Sequence, residues 1–516
     1  MMTKTLLVAG SNSGYQLGLG HDRDVGTLQE AICRVGLDPQ DVTSFPPEGY
    51  TILDLSSGGN HTLALLDRIS AEHGSSRTRV GKEIWVAGTG AEGQLEPAHA
   101  ALSPCRPVQV FTRLDLEGCL QCCDDLHRSA SSGACWQPKR IVCGWNCSYI
   151  VLEGALAGDE GASRQDVLIS LGKYRHNTFG ELGNASALAL SVVDRTVHQV
   201  SFAEALVEAG LDADVAFKIV DVAAGIRHAV AAISIEQEAS GQSRMLVVGW
   251  GSARQGQVGR IPEVASHQPG PSRRPGGGPP APVVSVPQLI FDWQVRDPRV
   301  ARCRVRAGRH HTAVLFQGDD KVHLHCIGSN QQAQLLDLSR SAQEGSSTDD
   351  IADMTCNWNS TLALRNKPSG GAILGCGNNL RGQLGDGSLI PTNAANPMAS
   401  VDLSEISQQL PSGATELNKL VSGSEHSLLL VSRQSGETAD AAFSKDSTQV
   451  WGWGWNEHGN LAQGPHDEAD RGRPVILLDG SRSGAATLPN FYTPLDVWAG
   501  CGTSFILAER HPTSCH

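Results

Sequence analysis

The stretch AILGCGNNLRGQLGDG, residues 372–387, is a repeat unit whose pattern predicts the fold of this chain. A short apolar run leads into a polar, glycine-bearing turn, which is the order expected where a β-strand enters a tight turn. The nine-residue frame of the turn, Gly-x-Asn-x-x-Gly-Gln-Leu-Gly, begins at Gly377. Glycine suits such a turn because it adopts positive φ without a clashing Cβ.

The same frame recurs along the whole sequence. The clearest further copy begins at Gly10 and has Tyr15 where a glycine is expected. Weaker copies are GTGAEGQLE (88–96), a lengthened GKYRHNTFGELG (172–183), GSARQGQVG (251–259), GSNQQAQLL (328–336) and GWNEHGNLA (454–462). Three copies lose their last glycine, at Glu96, Leu336 and Ala462. We therefore expect seven related turns, with less regular geometry at those three.

A second motif alternates with the first. Its seven copies are GNHTLAL (59–65), CGWNCSYIVL (143–152), AGIRHAVAA (224–232), AGRHHTAVL (307–315), CNWNSTLAL (356–364), SGSEHSLLL (422–430) and AGCGTSFIL (499–507). Aliphatic strands such as 63–65 and 428–430 must supply the core, because aromatic residues make up only 5% of the chain. A repeat at this scale is typical of a closed array of equivalent units.

The two chain ends each carry half a unit. Residues 5–9 form a predicted strand with no second motif before it, and residues 497–507 are a second motif with no first motif after it. Pairing the two in one blade would close a ring and remove two exposed sheet edges. The sequence thus predicts an all-β, seven-bladed β-propeller that occupies residues 1–516 as a single domain.

The spacing of the first motifs indicates insertions between blades. They start about 74 residues apart on average, whereas propeller blades take ~40–50 residues. We predict loop insertions near 98–137 and 260–287, the second because PGPSRRPGGGPPAP cannot pack a core. Residues 196–211 show helical spacing in their second half, with Phe202, Leu206 and Ala209 on one face.

Charge and composition argue against several classes of protein, although a local basic patch stays open. The net charge of −13 over 516 residues speaks against a nucleic-acid-binding surface, which needs clustered Lys and Arg. No apolar run approaches the ~20 residues of a membrane span, and the apolar run at the N-terminus is too short for a signal peptide. The 14 cysteines lack regular spacing, as expected of reduced thiols. We expect a cytoplasmic protein, with the nucleus as a second compartment, and no cofactor.

The alternation of the two motifs resembles the regulator-of-chromosome-condensation (RCC1) repeat family, whose members are seven-bladed β-propellers. Within the family, GSNSGYQLGLGHDRD (10–24), CGW (143–145), GSEH (423–426) and WGWGWNEHGN (451–460) resemble the fungal α-tubulin suppressors, also called killer-toxin-insensitivity proteins. AGIRHAV (224–230) and the same tryptophan-rich run also resemble the animal secretion-regulating exchange factors. The repeat itself is specific for fold only.

The resemblance implies two classes of function. The fungal branch implies a non-catalytic protein that binds a small zinc-ribbon electron carrier and supports diphthamide synthesis on elongation factor 2. It also implies a role with the Elongator complex in modifying the wobble uridine of tRNA. The alternative is guanine-nucleotide exchange on a small GTPase, which requires an element that displaces contacts to the nucleotide's phosphates and Mg²⁺. No motif spacing identifies such an element, so this alternative rests on analogy of fold.

Several conspicuous residues have a structural interpretation beside a functional one. His61, His228, His311 and His426 share one repeat position, which favours buried, hydrogen-bonded histidines over a convergent metal or catalytic site. Cys119 and Cys122, with His127 and Cys135, include ligand types that zinc accepts, but their spacing fits no standard ribbon, so we assign no metal. GTGAEG at 88–93 matches a dinucleotide-binding pattern, yet Pro97 stops the helix that such a site needs. We therefore predict no catalytic residue.

The best candidate for partner binding lies where the ring closes. The first and seventh turns become neighbours in a closed propeller, so their side chains can share one surface. The residues we assign to it are His21, Asp22, Asp24, Trp453, Trp455, Glu457 and His458. Tryptophan beside polar groups is the common anatomy of a protein interface, although the tryptophans could instead pack between blades.

Overall fold

A computed structural model of the chain describes residues 3–36, 38, 40–71, 77–96, 106–123, 126, 134–156, 165–173, 177–184, 195–237, 242–259, 282–297, 301–318, 321–338, 350–365, 371–410, 415–433, 448–480 and 490–511. The predicted insertion at 260–287 falls outside this part as far as residue 281, and it stays a prediction there.

Strands dominate the described chain. They are β1 (Thr3–Gly10), β2 (Val25–Glu30), β3 (Ile32–Arg34), β4 (Val42–Ser44), β5 (Tyr50–Ser57), β6 (His61–Ala71), β7 (Arg77–Gly88), β8 (Val108–Arg113), β9 (Ala134–Cys143), β10 (Ser148–Leu156), β11 (Asp166–Leu171), β12 (Val197–Val200), β13 (Lys218–Ala224), β14 (His228–Gln237) and β15 (Gln242–Ser252). They continue as β16 (Val283–Val295), β17 (Arg302–Ala307), β18 (His311–Gln317), β19 (Val322–Gly328), β20 (Ile351–Cys356), β21 (Ser360–Arg365), β22 (Ala372–Gly377), β23 (Ala399–Ser400), β24 (Thr415–Ser422), β25 (His426–Arg433), β26 (Gln449–Gly454), β27 (Arg471–Asp479), β28 (Phe491–Ala499) and β29 (Thr503–His511). Short helices are α1 (Leu116–Gln121), α2 (Ala203–Glu208) and α3 (Ser404–Gln409).

The strands form seven sheets, which are the blades of a β-propeller. From the innermost strand outward, six of them run β5-β6-β7-β8-β3-β4, β9-β10-β11-β12, β13-β14-β15-β16, β17-β18-β19, β20-β21-β22-β23 and β24-β25-β26-β27, and the seventh runs β28-β29-β1-β2. The predicted fold class is confirmed. Apolar side chains of facing sheets supply the core, as where Leu63 and Leu65 pack with Ile150 and Leu152 of the next blade.

The first and last strands close the ring as predicted. β1 pairs antiparallel with β29 from Thr3 opposite Arg510 to Gly10 opposite Thr503. Leu6, Leu7 and Val8 of β1 are fully buried in this blade. The N-terminal strand is therefore an interior strand of the closing blade, with a partner on each edge.

The residues that recur in the first motif stabilise each turn through hydrogen bonds. In the copy that begins at Gly377, the Asn379 side chain accepts a hydrogen bond from the Leu384 N–H (2.9 Å) and the Gln383 side chain accepts one from the Arg381 N–H (2.9 Å). The sixth position always has positive φ, which explains its glycine. Tyr15 (φ 65°) and Ala333 (φ 58°) adopt the same left-handed conformation without one.

Each of the four repeated histidines links its own blade to the next one. His61 Nε2 lies 2.9 Å from Ser148 Oγ, and this hydroxyl donates to the carbonyl oxygen of Gln94 (2.7 Å). The Ser148 hydroxyl donates its single proton to that carbonyl, so it can only accept a hydrogen bond from the histidine. His61 must therefore donate from Nε2. His228, His311 and His426 make the equivalent contacts to Thr312, Thr361 and Ser504. The structural interpretation is therefore confirmed.

The glycine of the second motif makes room for that histidine. A Cβ at Gly58 would lie 2.4 Å from His61 Cε1, and one at Gly308 would lie 2.1 Å from His311 Cε1. Burial lowers the pKa of His61, His311 and His426 to about 4 and that of His228 to about 3. All four are thus neutral structural groups near pH 7.

The outer segments contain both strand and helix. The stretch 98–137 is not a loop throughout, because β8 pairs with β7 as a blade strand and α1 follows it, capped by Asp115 and burying Cys119. The helical prediction for 196–211 is confirmed by α2, beside which Phe202 and Leu206 are buried in the core.

Candidate partner-binding site

The first predicted turn is a hydrogen-bonded loop that presents carboxylates to solvent. The Asn12 side chain donates to the His21 carbonyl (2.6 Å), and the Asn12 backbone N–H donates to Asp24 Oδ1 (2.7 Å). These bonds draw the two ends of the loop together. Asp22 and Asp24 are exposed and His21 is half-buried. All three predicted residues therefore lie at the surface.

The seventh predicted turn carries an aromatic residue next to an acid and an imidazole. Trp455 Nε1 donates to Glu457 Oε2 (3.1 Å), and the rings of Trp455 and His458 meet edge to face with centroids 5.0 Å apart. Asn456 anchors the turn from below through the Asp467 carbonyl (2.7 Å). Trp455 is half-buried, so part of its ring remains accessible.

The two turns touch across the closure of the ring. His458 Nδ1 lies 2.7 Å from Asp24 Oδ2, with side-chain exposures of 35% and 39%. Atoms of both His458 and Trp455 lie 3.4 Å from where a Cβ would stand at Gly502, in the last second motif. We call the surface formed by His21, Asp22, Asp24, Trp455, Glu457 and His458 the closure rim.

Trp453 does not belong to this surface, so its assignment to the partner-binding site is wrong. The side chain is fully buried, and its Nε1 donates to the Gln383 carbonyl (2.9 Å). It packs in the core between two blades together with Trp451. Trp455 differs because it follows the last residue of β26, where the chain leaves the sheet.

An exposed apolar turn adjoins the closure rim and was not predicted. Leu380, Leu389 and Ile390 are 62%, 54% and 70% exposed in the turn of the preceding blade. Arg381 in the same turn reaches Glu457 (3.8 Å) and Asp470 (3.2 Å). Apolar residues within an otherwise polar turn were the available signal in the sequence. Exposed apolar clusters of this kind mark interaction surfaces.

Two further tryptophans lie on the same face, at the mouth of the central channel. Trp145 and Trp358 follow the innermost strands of opposite blades, and their ring centroids are 5.7 Å apart. First and second motifs share this face, since the Trp455 N–H donates to the Glu425 carbonyl of the neighbouring second-motif turn (2.9 Å). Sequence reasoning missed this pair because spacing along the chain does not reveal which blades face each other across the ring.

Comparison with known proteins supports the repeat assignment. Residues 5–65 match the model of the regulator of chromosome condensation (RCC1) repeat, a span that contains Asp24 and His61. The mouse secretion-regulating guanine nucleotide exchange factor is 26% identical over 99% of this chain and 85% of its own length. The chain is a seven-bladed β-propeller that matches the RCC1 repeat at its N-terminal end. The RCC1 repeat-containing protein C10F6.04 of Schizosaccharomyces pombe is 24% identical and covers 89% of both chains.

Solved structures agree with this fold. Human WBSCR16 superposes with a TM-score of 0.56 at 15% identity, over 98% of this chain and 99% of its own. Prp20p from Saccharomyces cerevisiae also gives 0.56, at 16% identity over 99% of this chain and 92% of its own. At such identities these likenesses concern the fold alone.

The described part of the propeller contains neither a cluster of metal-ligand side chains nor a membrane-spanning helix. There, no group of three or more His, Cys, Asp or Glu side chains is placed to hold a metal ion. Cys119 is buried among apolar side chains and Cys122 is exposed, while His127 and the side chain of Cys135 lie outside the described residues. No helix in the portion described is both long and apolar enough to span a bilayer.

Proposed function

We propose that this RCC1-like propeller is a non-catalytic protein that binds a small partner protein on its closure rim. The observation that carries the proposal is the contact between Asp24 and His458, which joins two turns into one surface. Half-exposed Trp455 supplies an aromatic anchor, and Glu457, 57% exposed, supplies an accessible charge beside it. An aromatic centre with a polar border fits a protein better than a nucleic acid, since exposed carboxylates repel phosphate.

Our first candidate for the partner is a small zinc-ribbon protein that carries electrons. The support is the resemblance of residues 10–24 and 451–460 to the fungal branch of the family. On this proposal the chain acts in the cytoplasm, and also in the nucleus. It would support diphthamide synthesis on elongation factor 2 and Elongator-dependent modification of the wobble uridine in tRNA.

Guanine-nucleotide exchange on a small GTPase is the second candidate. It is favoured by the names of the mouse and cattle relatives, both secretion-regulating guanine nucleotide exchange factors, at 26% and 25% identity. The Prp20p structure is described together with binding to Gsp1p and histones. Exchange would require the same face to displace contacts to Mg²⁺ and the phosphates.

Purification of the full chain with an affinity tag distinguishes the two candidates. A small protein rich in Cys-x-x-Cys pairs, recovered in one-to-one ratio with zinc, would support the first. A GTPase recovered only after nucleotide is stripped with EDTA, whose fluorescent GDP is then released faster by the purified chain, would support the second. Partner recovery that is unchanged in a Glu457→Lys, His458→Ala chain would contradict binding at the closure rim.

A further inference from the structure

A chamber of about 330 Å³ lies in the central channel beneath the Trp145–Trp358 pair. Its side walls carry mostly small residues such as Ser57, Ala224 and Ser422. The volume is at the lower end of the ~300–1,000 Å³ found for small-molecule sites. The chamber is therefore large enough for one compact polar group.

A ring of charged side chains lies below the small residues. Each innermost strand contributes one residue four positions before the turn of its second motif. In order around the ring they are Asp54, Arg140, Asp221, Arg304, Asp353, Lys419 and Asp496. The charges alternate, and the described ion pairs include Arg140 with Asp221 (3.3 Å), Arg304 with Asp353, and Lys419 with Asp496 (2.7 Å).

Seven positions cannot alternate completely, so two acids are neighbours where the ring closes. Those acids are Asp496 and Asp54, and Lys419 is bonded to the first of them. On the other side an additional arginine, Arg306, binds both Asp221 (2.9 Å) and Asp353 (3.7 Å). The two cations nearest to Asp54, Arg140 and Lys419, are thus paired with other acids, Asp221 and Asp496.

Asp54 makes no ion pair within the described part of the chain, although its carboxylate lines the chamber. Its Oδ1 accepts the N–H of the next residue, Leu55 (2.9 Å), and the Trp498 side chain donates a second hydrogen bond to the carboxylate. Burial raises the pKa of this carboxyl, which Arg140 and Lys419 offset in part. The carboxylate therefore lacks a direct counter-ion.

The indoles around the chamber already carry cations. The Arg309 guanidinium lies 5.9 Å from the ring centre of Trp358, and Lys419 Nζ lies 4.5 Å from that of Trp498. Aromatic faces attract cations, most strongly where water is excluded. The chamber thus combines aromatic faces of a kind that accept cations with a carboxylate, Asp54, that has no ion pair in the described chain.

We propose that this chamber binds a single guanidinium or alkylammonium group between the Trp145–Trp358 pair and Asp54. Such a group could belong to a free small amine or to an arginine or lysine side chain of a protein docked on this face. The inference is independent of the proposed function, since the closure rim and the chamber use different residues.

Calorimetric titration of the full chain tests the proposal with matched probes. N-acetyl-arginine amide should bind, and N-acetyl-citrulline amide, which has the same shape without the charge, should bind at least ten-fold more weakly. Asp54→Asn should weaken arginine binding at least ten-fold, whereas Asp214→Asn, at an exposed aspartate that does not line the chamber, should leave it unchanged. No heat from the arginine probe, or equal affinity for both probes, would overturn the proposal.

A second variant protects the test if Asp54→Asn fails to fold. Trp145→Leu changes a half-buried side chain at the mouth, and it should weaken the arginine probe several-fold. Unchanged affinity for the arginine probe in that variant would show that Trp145 does not contact the bound group, and it would overturn the proposal. Titration with putrescine tests whether the bound group belongs to a free small amine. Tighter binding of putrescine than of the arginine probe would assign a free diamine, and the reverse order a protein side chain.

Discussion

His458 Nδ1 lies 2.7 Å from Asp24 Oδ2, although 434 positions separate the two residues in the sequence. The contact exists because β1 is an interior strand of the last blade, which brings the first turn against the seventh. It makes the closing blade responsible both for the stability of the ring and for the shape of the candidate site.

Removal of residues 1–9 should strongly destabilise the propeller. The deletion takes away the buried side chains of Leu6, Leu7 and Val8 and exposes an edge of β29. We expect a loss of more than about 5 kcal/mol, because each large buried aliphatic side chain contributes ~2–5 kcal/mol. Thermal unfolding followed by circular dichroism measures this, and an unchanged melting temperature would contradict closure by β1.

The bond between blades should depend on the hydroxyl that the histidine contacts. Thr312 Oγ1 lies 3.0 Å from His228 Nε2 and donates to the Gln257 carbonyl (2.7 Å). Thr312→Val leaves both partners buried and unpaired, which should cost ~1–3 kcal/mol. Thr312→Ser keeps the hydroxyl and is the matched control. Equal unfolding free energies in urea for the two variants would be evidence against a stabilising His228–Thr312 hydrogen bond.

Acid should destabilise the propeller through the repeated histidines. Their pKa values lie at about 3 to 4 in the folded chain and near 6.5 when unfolded. The unfolded state therefore binds more protons, so stability is complete above pH ~6.5 and is lost as the pH falls towards 4. Each histidine contributes a slope of ~1.4 kcal/mol per pH unit.

One histidine can be isolated from the carboxyl groups that titrate in the same range. His311→Gln should reduce the slope of unfolding free energy against pH by about 1.4 kcal/mol per unit between pH 6 and 4.5. Denaturant unfolding at several pH values gives this slope. A slope identical to that of the parent would mean that His311 is not buried in its neutral form.

Neighbouring tryptophans should respond differently to truncation. Trp453→Ala removes a fully buried indole and should cost ~3–5 kcal/mol. Trp455→Ala removes a half-buried indole beyond the strand end and should cost much less while weakening partner binding. Comparable losses of stability would show that Trp455 also serves the core.

The sequence was sufficient for the architecture because the repeat encodes it locally. Asn379 and Gln383 close their own turn, and the unmatched strand at residues 5–9 requires a partner at the other end. The sequence also predicted the contact between the first and seventh turns, because the unmatched N-terminal strand places them side by side. Alternation along β26 could not separate Trp453 from Trp455, because the end of the strand, rather than the period, decides which ring is covered.

Contacts between residues on opposite sides of the central channel could not be predicted from the sequence. Trp145 and Trp358 occupy variable positions of the second motif, and only the curvature of the whole propeller brings them together. The alternating charges from Asp54 to Asp496 have the same origin. Each is one polar residue in an inner strand, and the pattern appears only when the seven strands surround one axis.

The affinity of the closure-rim variant for its partner tests the central claim most directly. Glu457→Lys with His458→Ala removes the contact to Asp24 and reverses an exposed charge. Gln331→Lys with Gln332→Ala introduces the same side chains at the equivalent exposed positions of another turn and serves as the control.

We expect the closure-rim variant to bind the purified partner at least ten-fold more weakly than the parent, about 1.4 kcal/mol. The control should bind as the parent does, and both variants should keep its melting temperature. Equal Kd values for the closure-rim variant, the control and the parent would contradict the account and direct attention to the opposite face of the propeller.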